Sequence, residues 1–125
     1  MEKRRKLASL YREYLKDING ITTQPEMAGA KNVFWLYSIL IEQDLTGIDR
    51  DLISNKLSQS GVDNRRFFYP AHVMPPYQEF AASEKFPVSD RLSNTGMNLP
   101  SSANLVEEDV NTISEVLRGI ISKKN

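Results

Sequence analysis

VFWLYSILI, residues 33–41, is apolar at odd and even positions alike, with Ser38 the one polar interruption. β-Branched and aromatic side chains fill the run, which predicts a central strand covered on both faces. Trp35 and Tyr37 are then expected as core or domain-interface anchors. Upstream, Leu7, Leu10, Tyr11, Tyr14, Leu15 and Ile18 recur at the i, i+3, i+4, i+7 spacing of a one-sided helix. That pattern predicts a helix over 3–18, closed by Asn19 and Gly20. Downstream, Asp49 is placed to cap a helix over 50–60, and Gly61 suits its left-handed end. Pro87 opens a short helix ending near 94–96, and residues 97–99 read as a short strand. Glu107, Glu108 and Asp109 begin the last helix and Lys123 and Lys124 end it, an order that matches the helix dipole. Val106, Val110, Ile113, Leu117 and Ile120 or Ile121 form its apolar stripe. The alternation of helices and strands predicts an α+β fold, a small mixed or antiparallel sheet of about three strands packed with helices.

The third strand candidate is the most unusual part of the chain. Residues 64–77, NRRFFYPAHVMPPY, hold two arginines, four aromatics, three prolines and the only histidine. In an extended strand Arg65, Phe67 and Tyr69 share one face while Arg66 and Phe68 take the other. Pro70 ends the ladder, and Pro75 and Pro76 predict an extended, stiff loop carrying His72 and Tyr77. An aromatic strand between helices is ordinarily core, and a flanking arginine pair ordinarily a solvated edge. The combination on one short segment goes beyond what packing requires and suits an anionic or sugar-like ligand. Arg66 is expected to meet solvent or another domain, and Tyr77 to act as a packing anchor.

The first helix carries its charges in reverse. Lys3, Arg4, Arg5 and Lys6 occupy the opening turns, where the dipole favours anions, and no Ser, Thr, Asp or Asn precedes them as a cap. Such a helix reads as one continuing from an upstream domain, with Leu7, Tyr11 and Leu15 packing partly on absent structure and leaving an apolar patch here. A nucleic-acid arm or a targeting peptide is the competing reading, but acidic residues dilute the cluster and no second basic stripe extends it; a solvated charged face is the default for such a cluster.

Composition narrows the classes further. The 125 residues suit one domain, and 40% hydrophobic content supports a core. Sixteen basic and sixteen acidic residues cancel, so no overall field favours nucleic acid or an anionic membrane. Without cysteine there are no disulfides, thiolate nucleophiles or cysteine-based zinc sites. One histidine and scattered acids are too few for a metal centre, no phosphate-cradling glycine loop is present, and nothing assembles a catalytic triad. The longest apolar run is too short to span a bilayer.

Taken in order, KRRKLASLYREYL, FWLYSILI, DRDLISNKLSQSGV, the aromatic run, FPVSDRLSNTGMNLPSS and the helix begun by EEDV resemble one known domain. It is the small C-terminal domain of the DegT/DnrJ/EryC1/StrS family of pyridoxal-phosphate-dependent nucleotide-sugar aminotransferases, and most of all that of the perosamine-forming branch. The likeness covers nearly the whole chain, and the order and spacing of the pieces carry it. Arg66 departs from the family pattern, where proline tends to follow the first arginine.

The resemblance implies the small-domain fold of fold-type I aminotransferases. It implies that residues 1–125 form this domain alone, and that the large N-terminal domain, with the Schiff-base lysine and the acidic partner of the pyridine nitrogen, lies outside the chain. The full-length enzyme would be a cytoplasmic homodimer carrying pyridoxal phosphate. It would move an amino group from a donor such as glutamate to a nucleotide-linked 4-keto-6-deoxy sugar for surface polysaccharide synthesis. For this chain alone the resemblance implies no catalytic residue, no cofactor and no activity. Arg65 would meet the diphosphate, Phe67 and Tyr69 would wall the sugar, and His72 would reach a sugar oxygen; a proton-shuttle role for His72 is disfavoured, because the absent lysine would move the proton. A freestanding, non-catalytic module binding a nucleotide-sugar or a protein is the alternative.

Overall fold

In the computed structural model, which describes residues 1–123, the chain runs α1 (Glu2–Leu15), β1 (Ile21–Thr23), β2 (Tyr37–Ile41), α2 (Gln43–Thr46), α3 (Arg50–Gln59) and β3 (Arg65–Arg66). Two 3-10 turns, Ala71–Val73 and Pro75–Tyr77, lead into α4 (Gln78–Ala81), α5 (Pro87–Thr95), β4 (Gly96–Leu99) and α6 (Glu107–Ser122). The four strands form one antiparallel sheet in the order β1-β2-β4-β3, so the fold is α+β, as the sequence predicts. The unforeseen member is β1, whose three residues are too few to carry a periodicity.

Register sorts the side chains into two faces. Tyr37 lies opposite Leu99 and Ile39 opposite Met97, and these four with Ile41 are buried. Against this face pack α1, α3 and α6, through Leu7, Tyr11 and Leu15, through Ile53 and Leu57, and through Val110, Ile113, Leu117 and Ile121. Each fully buried side chain of this size contributes about 1.5–3 kcal/mol. Tyr11 stacks on Tyr37 with ring centroids 4.6 Å apart and donates its hydroxyl to the Pro100 carbonyl at 2.9 Å.

Several expectations are corrected here. The stripe Leu7, Tyr11 and Leu15 leaves no apolar patch, because α6 and the sheet bury it within the chain. The central strand begins only at Tyr37 and is sealed on one face, with Ser38 and Leu40 half-buried on the other. Trp35 is 68% exposed, which excludes the core role and not the domain-interface role of its expectation, whereas Phe34 beside it is buried at a left-handed φ of 46°. Val106 is exposed and lies outside the stripe of α6. Lys123 is the residue that follows α6, and Lys124 lies outside the described residues.

The first helix has no side-chain cap, as the lack of a Ser, Thr, Asp or Asn before it predicts. Its arginines nonetheless have partners. Arg4 donates to the Trp35 carbonyl at 2.7 Å, and Arg5 clamps the Glu26 carboxylate and the Asn32 carbonyl. Glu26 is thereby held below the usual carboxylate range. The helix ends at Leu15, and Gly20, at φ 87°, closes the turn where a Cβ would meet Thr46 at 2.7 Å. Asp49 caps α3 by accepting from the Leu52 N–H at 2.8 Å, and Gly61 follows it at φ 79°. Among the described residues no helix is long and apolar enough to cross a membrane.

The paired tyrosines give the fold an alkaline limit. Burial pushes the Tyr37 hydroxyl up to about 12 from 10.0, and Tyr11 is raised too. Between these values the unfolded chain loses a proton that the folded chain keeps, so stability is full below about pH 10 and falls as pH rises through 12. Urea unfolding across this window should show a loss on the order of 2–3 kcal/mol from Tyr37 alone. Tyr37→Phe should remove that share of the decline and leave the share due to Tyr11.

Candidate functional site

β3 separates its two arginines across the sheet. Arg65 lies opposite Asn98 and Arg66 opposite Met97. Because Met97 faces the helix layer, so does Arg66, and its Nε sits 3.3 Å from Asp51 Oδ1 on α3. Arg66 is exposed to solvent, as expected, and also holds this ion pair within the chain. Arg65 is exposed on the open face and has no ion-pair partner among the described residues. Its cross-strand neighbour Asn98 accepts from the Ser38 hydroxyl at 2.7 Å, which sets a polar pair at the middle of that face.

Phe67 shares the open face with Arg65. Its N–H donates to the Gly96 carbonyl at 3.1 Å, the last rung of the ladder. The next partner would be Thr95, which is helical, so pairing stops short of the strand expected through Tyr69. Phe68 and Tyr69 leave the sheet and stand 85% and 81% exposed. The ring of Phe67 lies against Gly96: a Cβ there would come within 2.5 Å of the Leu92 carbonyl and closer still to the ring. Gly96 has a φ of −83°, so its requirement is one of space and not of conformation. Beside Phe67 a cleft of about 230 Å³ opens between Thr22, Ser38, Leu40 and Leu92.

Beyond Pro70 the prolines do not hold an extended loop. Their fixed φ suits the first turn of a helix, and the chain folds into the two 3-10 turns and α4. α5 then frames the whole segment. His72 donates from Nε2 to Asp90 Oδ1 at 2.8 Å and stacks on Phe86 with centroids 4.7 Å apart. Ser93 donates to the Phe68 carbonyl at 3.0 Å. Arg50, its guanidinium largely buried, donates to the carbonyls of Ser93 and Gly96 at 2.8 and 2.7 Å and so caps the C-terminus of α5. His72 also lines a depression of about 290 Å³ with Tyr77, Phe80, Phe86 and Ser89, where Tyr77 is exposed and does not anchor packing.

Of the four residues singled out from sequence, Arg65 and Phe67 come together on the open face. Tyr69 projects from the adjoining turn, and His72 is drawn toward α5. Sequence reasoning missed Asp90, Ser93, Arg50 and Gly96, which hold the segment from a distance and leave no local signal beyond the glycine.

The DegT/DnrJ/EryC1/StrS aminotransferase family matches residues 1–118. The GDP-perosamine synthase of Vibrio cholerae is 32% identical over 115 residues, covering 92% of this chain and 31% of that protein. The structure of DesI in the presence of its TDP-sugar product superposes with a TM-score of 0.88 at 25% identity, covering 98% of this chain and 31% of that one. A family aminotransferase from Brucella abortus gives 0.80 at 30% identity, with 98% and 31% covered. The chain thus spans about a third of the length of the curated relatives it matches.

Gly96→Ala is expected to lower stability by about 1–3 kcal/mol through overpacking and to shift the Phe67 ring resonances. An unchanged urea midpoint with Phe67 unmoved would contradict the close seat described above.

Proposed function

Because the chain belongs to the DegT/DnrJ/EryC1/StrS aminotransferase family, we propose that it is the C-terminal small domain of a sugar aminotransferase. In this reading the domain closes a cleft over a nucleotide-linked 4-keto-6-deoxy sugar of the perosamine type, in the synthesis of a surface polysaccharide in the cytoplasm. The observation that carries the reading is the open sheet face. An exposed guanidinium with no ion-pair partner among the described residues, a seated aromatic ring and a polar Ser38–Asn98 pair share it, next to two aromatics in solvent.

The roles follow from chemistry. Arg65 offers a planar set of donors with no carboxylate among the described residues competing for them, the arrangement that takes a diphosphate. Phe67 walls one side of the sugar, and Tyr69 adds a ring with a hydroxyl. His72 offers a ring nitrogen to a sugar oxygen. The likeness to GDP-perosamine synthases favours a GDP-linked substrate.

The family depends on pyridoxal phosphate. That cofactor needs a lysine and an acidic partner for its pyridine nitrogen. The cleft beside Phe67 is lined by threonine, glutamine, proline, serine and aliphatic or aromatic residues, with neither lysine nor carboxylate. These residues do not fit the cofactor, and no chemical step is assigned to them. Cofactor binding and amino transfer belong to the remaining two thirds of a full-length homodimer, and this chain alone is inactive.

The full-length protein supplied with pyridoxal phosphate is expected to transfer an amino group from glutamate to a GDP-linked keto-sugar. Arg65→Ala should raise KM for that substrate on the order of 10- to 100-fold, the loss of one charge-assisted contact, with a smaller change in kcat. Failure to aminate any nucleotide-linked keto-sugar contradicts the reaction; an unchanged KM in the variant contradicts the role of Arg65.

A further inference from the structure

Asp90 stands eighteen residues from His72 and on another element, yet it is the group that fixes the imidazole. A carboxylate only accepts, so the nitrogen facing it, Nε2, must carry the proton. In the neutral ring this leaves Nδ1 bare. Among the described residues no partner takes Nδ1. The ring plane is set as well, by Phe86 stacked at 4.7 Å, and His72 lines the aromatic depression with Tyr77 and Phe80. Asp90 is itself held, since its N–H donates to the Phe86 carbonyl at 3.0 Å in the first turn of α5.

We propose that Asp90 is a positioning residue: it locks neutral His72 in the Nε2–H tautomer, so that in this form His72 meets its ligand as a hydrogen-bond acceptor through Nδ1. This rests on the reading above that His72 contacts the sugar, and it narrows that reading. The group it recognises is a hydroxyl donor on the sugar ring, and a ligand offering only an acceptor there is rejected. A sugar lacking that hydroxyl, or carrying it as an ether, is a poor ligand. The same bond ties the turn that follows Tyr69 to α5, and so fixes where the exposed aromatics stand. The carboxylate is half-exposed, while the imidazole it holds is mostly buried. Removing the carboxylate therefore frees the ring without opening the core.

The chain contains a single histidine, so its ring ¹⁵N signals identify themselves in the labelled protein. With the ring neutral, the wild-type chain is expected to show Nε2 as the protonated nitrogen and Nδ1 as the bare one. Asp90→Asn, whose amide can donate, should reverse or mix the two, and Asp90→Ala should give the averaged shifts of a free imidazole. A wild-type spectrum with the proton on Nδ1, or one that Asp90→Ala leaves unchanged, overturns the proposal. Circular dichroism matched to wild type shows that the variants fold.

In the full-length enzyme, Asp90→Asn should raise KM for the sugar nucleotide about tenfold, approaching the effect of His72→Ala, while Asp90→Glu recovers part of the loss. If His72→Ala raises KM and Asp90→Asn does not, positioning by Asp90 is refuted. If His72→Ala itself leaves KM unchanged, the ligand half of the proposal and the placement of His72 at the substrate both fall, whereas the tautomer result, read without any ligand, stands or falls separately.

Discussion

The pairing of β2 with β4 is the constraint on which the rest depends. Met97 and Leu99 enter the helix-covered core, and Gly96 and Asn98 look the other way. Side chains alternate with a period of two, so a slip of one residue would drive Asn98 into the core and Met97 out of it. The cost of exposing two buried apolar side chains and burying an unpaired amide holds the register. β3 inherits that choice. Arg65 is on the open face because Asn98 is, and Arg66 reaches the Asp51 carboxylate because Met97 faces the helices.

The two faces have different work. One is closed by α1, α3 and α6 through side chains that this chain supplies in full. The other is only edged by α5, whose Leu92 borders the cleft next to Phe67. α5 also anchors what leaves the sheet, through Ser93 to Phe68 and Asp90 to His72, and Arg50 ties its last turn to the core. The exposed aromatics thus rise from a segment with several fixed points. The matched relatives are about three times longer than this chain.

Local chemistry made much of this legible. Asp49, Gly61 and Pro87 mark helix ends through caps and fixed dihedrals that act within a few residues, and the stripes of α1 and α6 repeat often enough to be read. The family likeness likewise rested on the order of several segments. What escaped is nonlocal. The ladder ends at Phe67 because its partner turns helical at Thr95, nearly thirty residues on. Arg4 and Arg5 look like a solvated cluster until the loop carrying Glu26, Asn32 and Trp35 folds back onto them. Trp35 fits a buried strand by composition, but it is exposed next to a left-handed, buried Phe34. At the site, Arg65 and Phe67 followed from alternation, whereas the link from His72 to Asp90 depends on how α5 docks.

The most direct test is a crystal structure of the full-length protein with a GDP-linked sugar bound. The account predicts the Arg65 guanidinium within hydrogen-bond distance of the diphosphate, and the sugar lying between Phe67 and Tyr69 on the open sheet face. A diphosphate bound away from Arg65, with that face covered by protein alone, would contradict it.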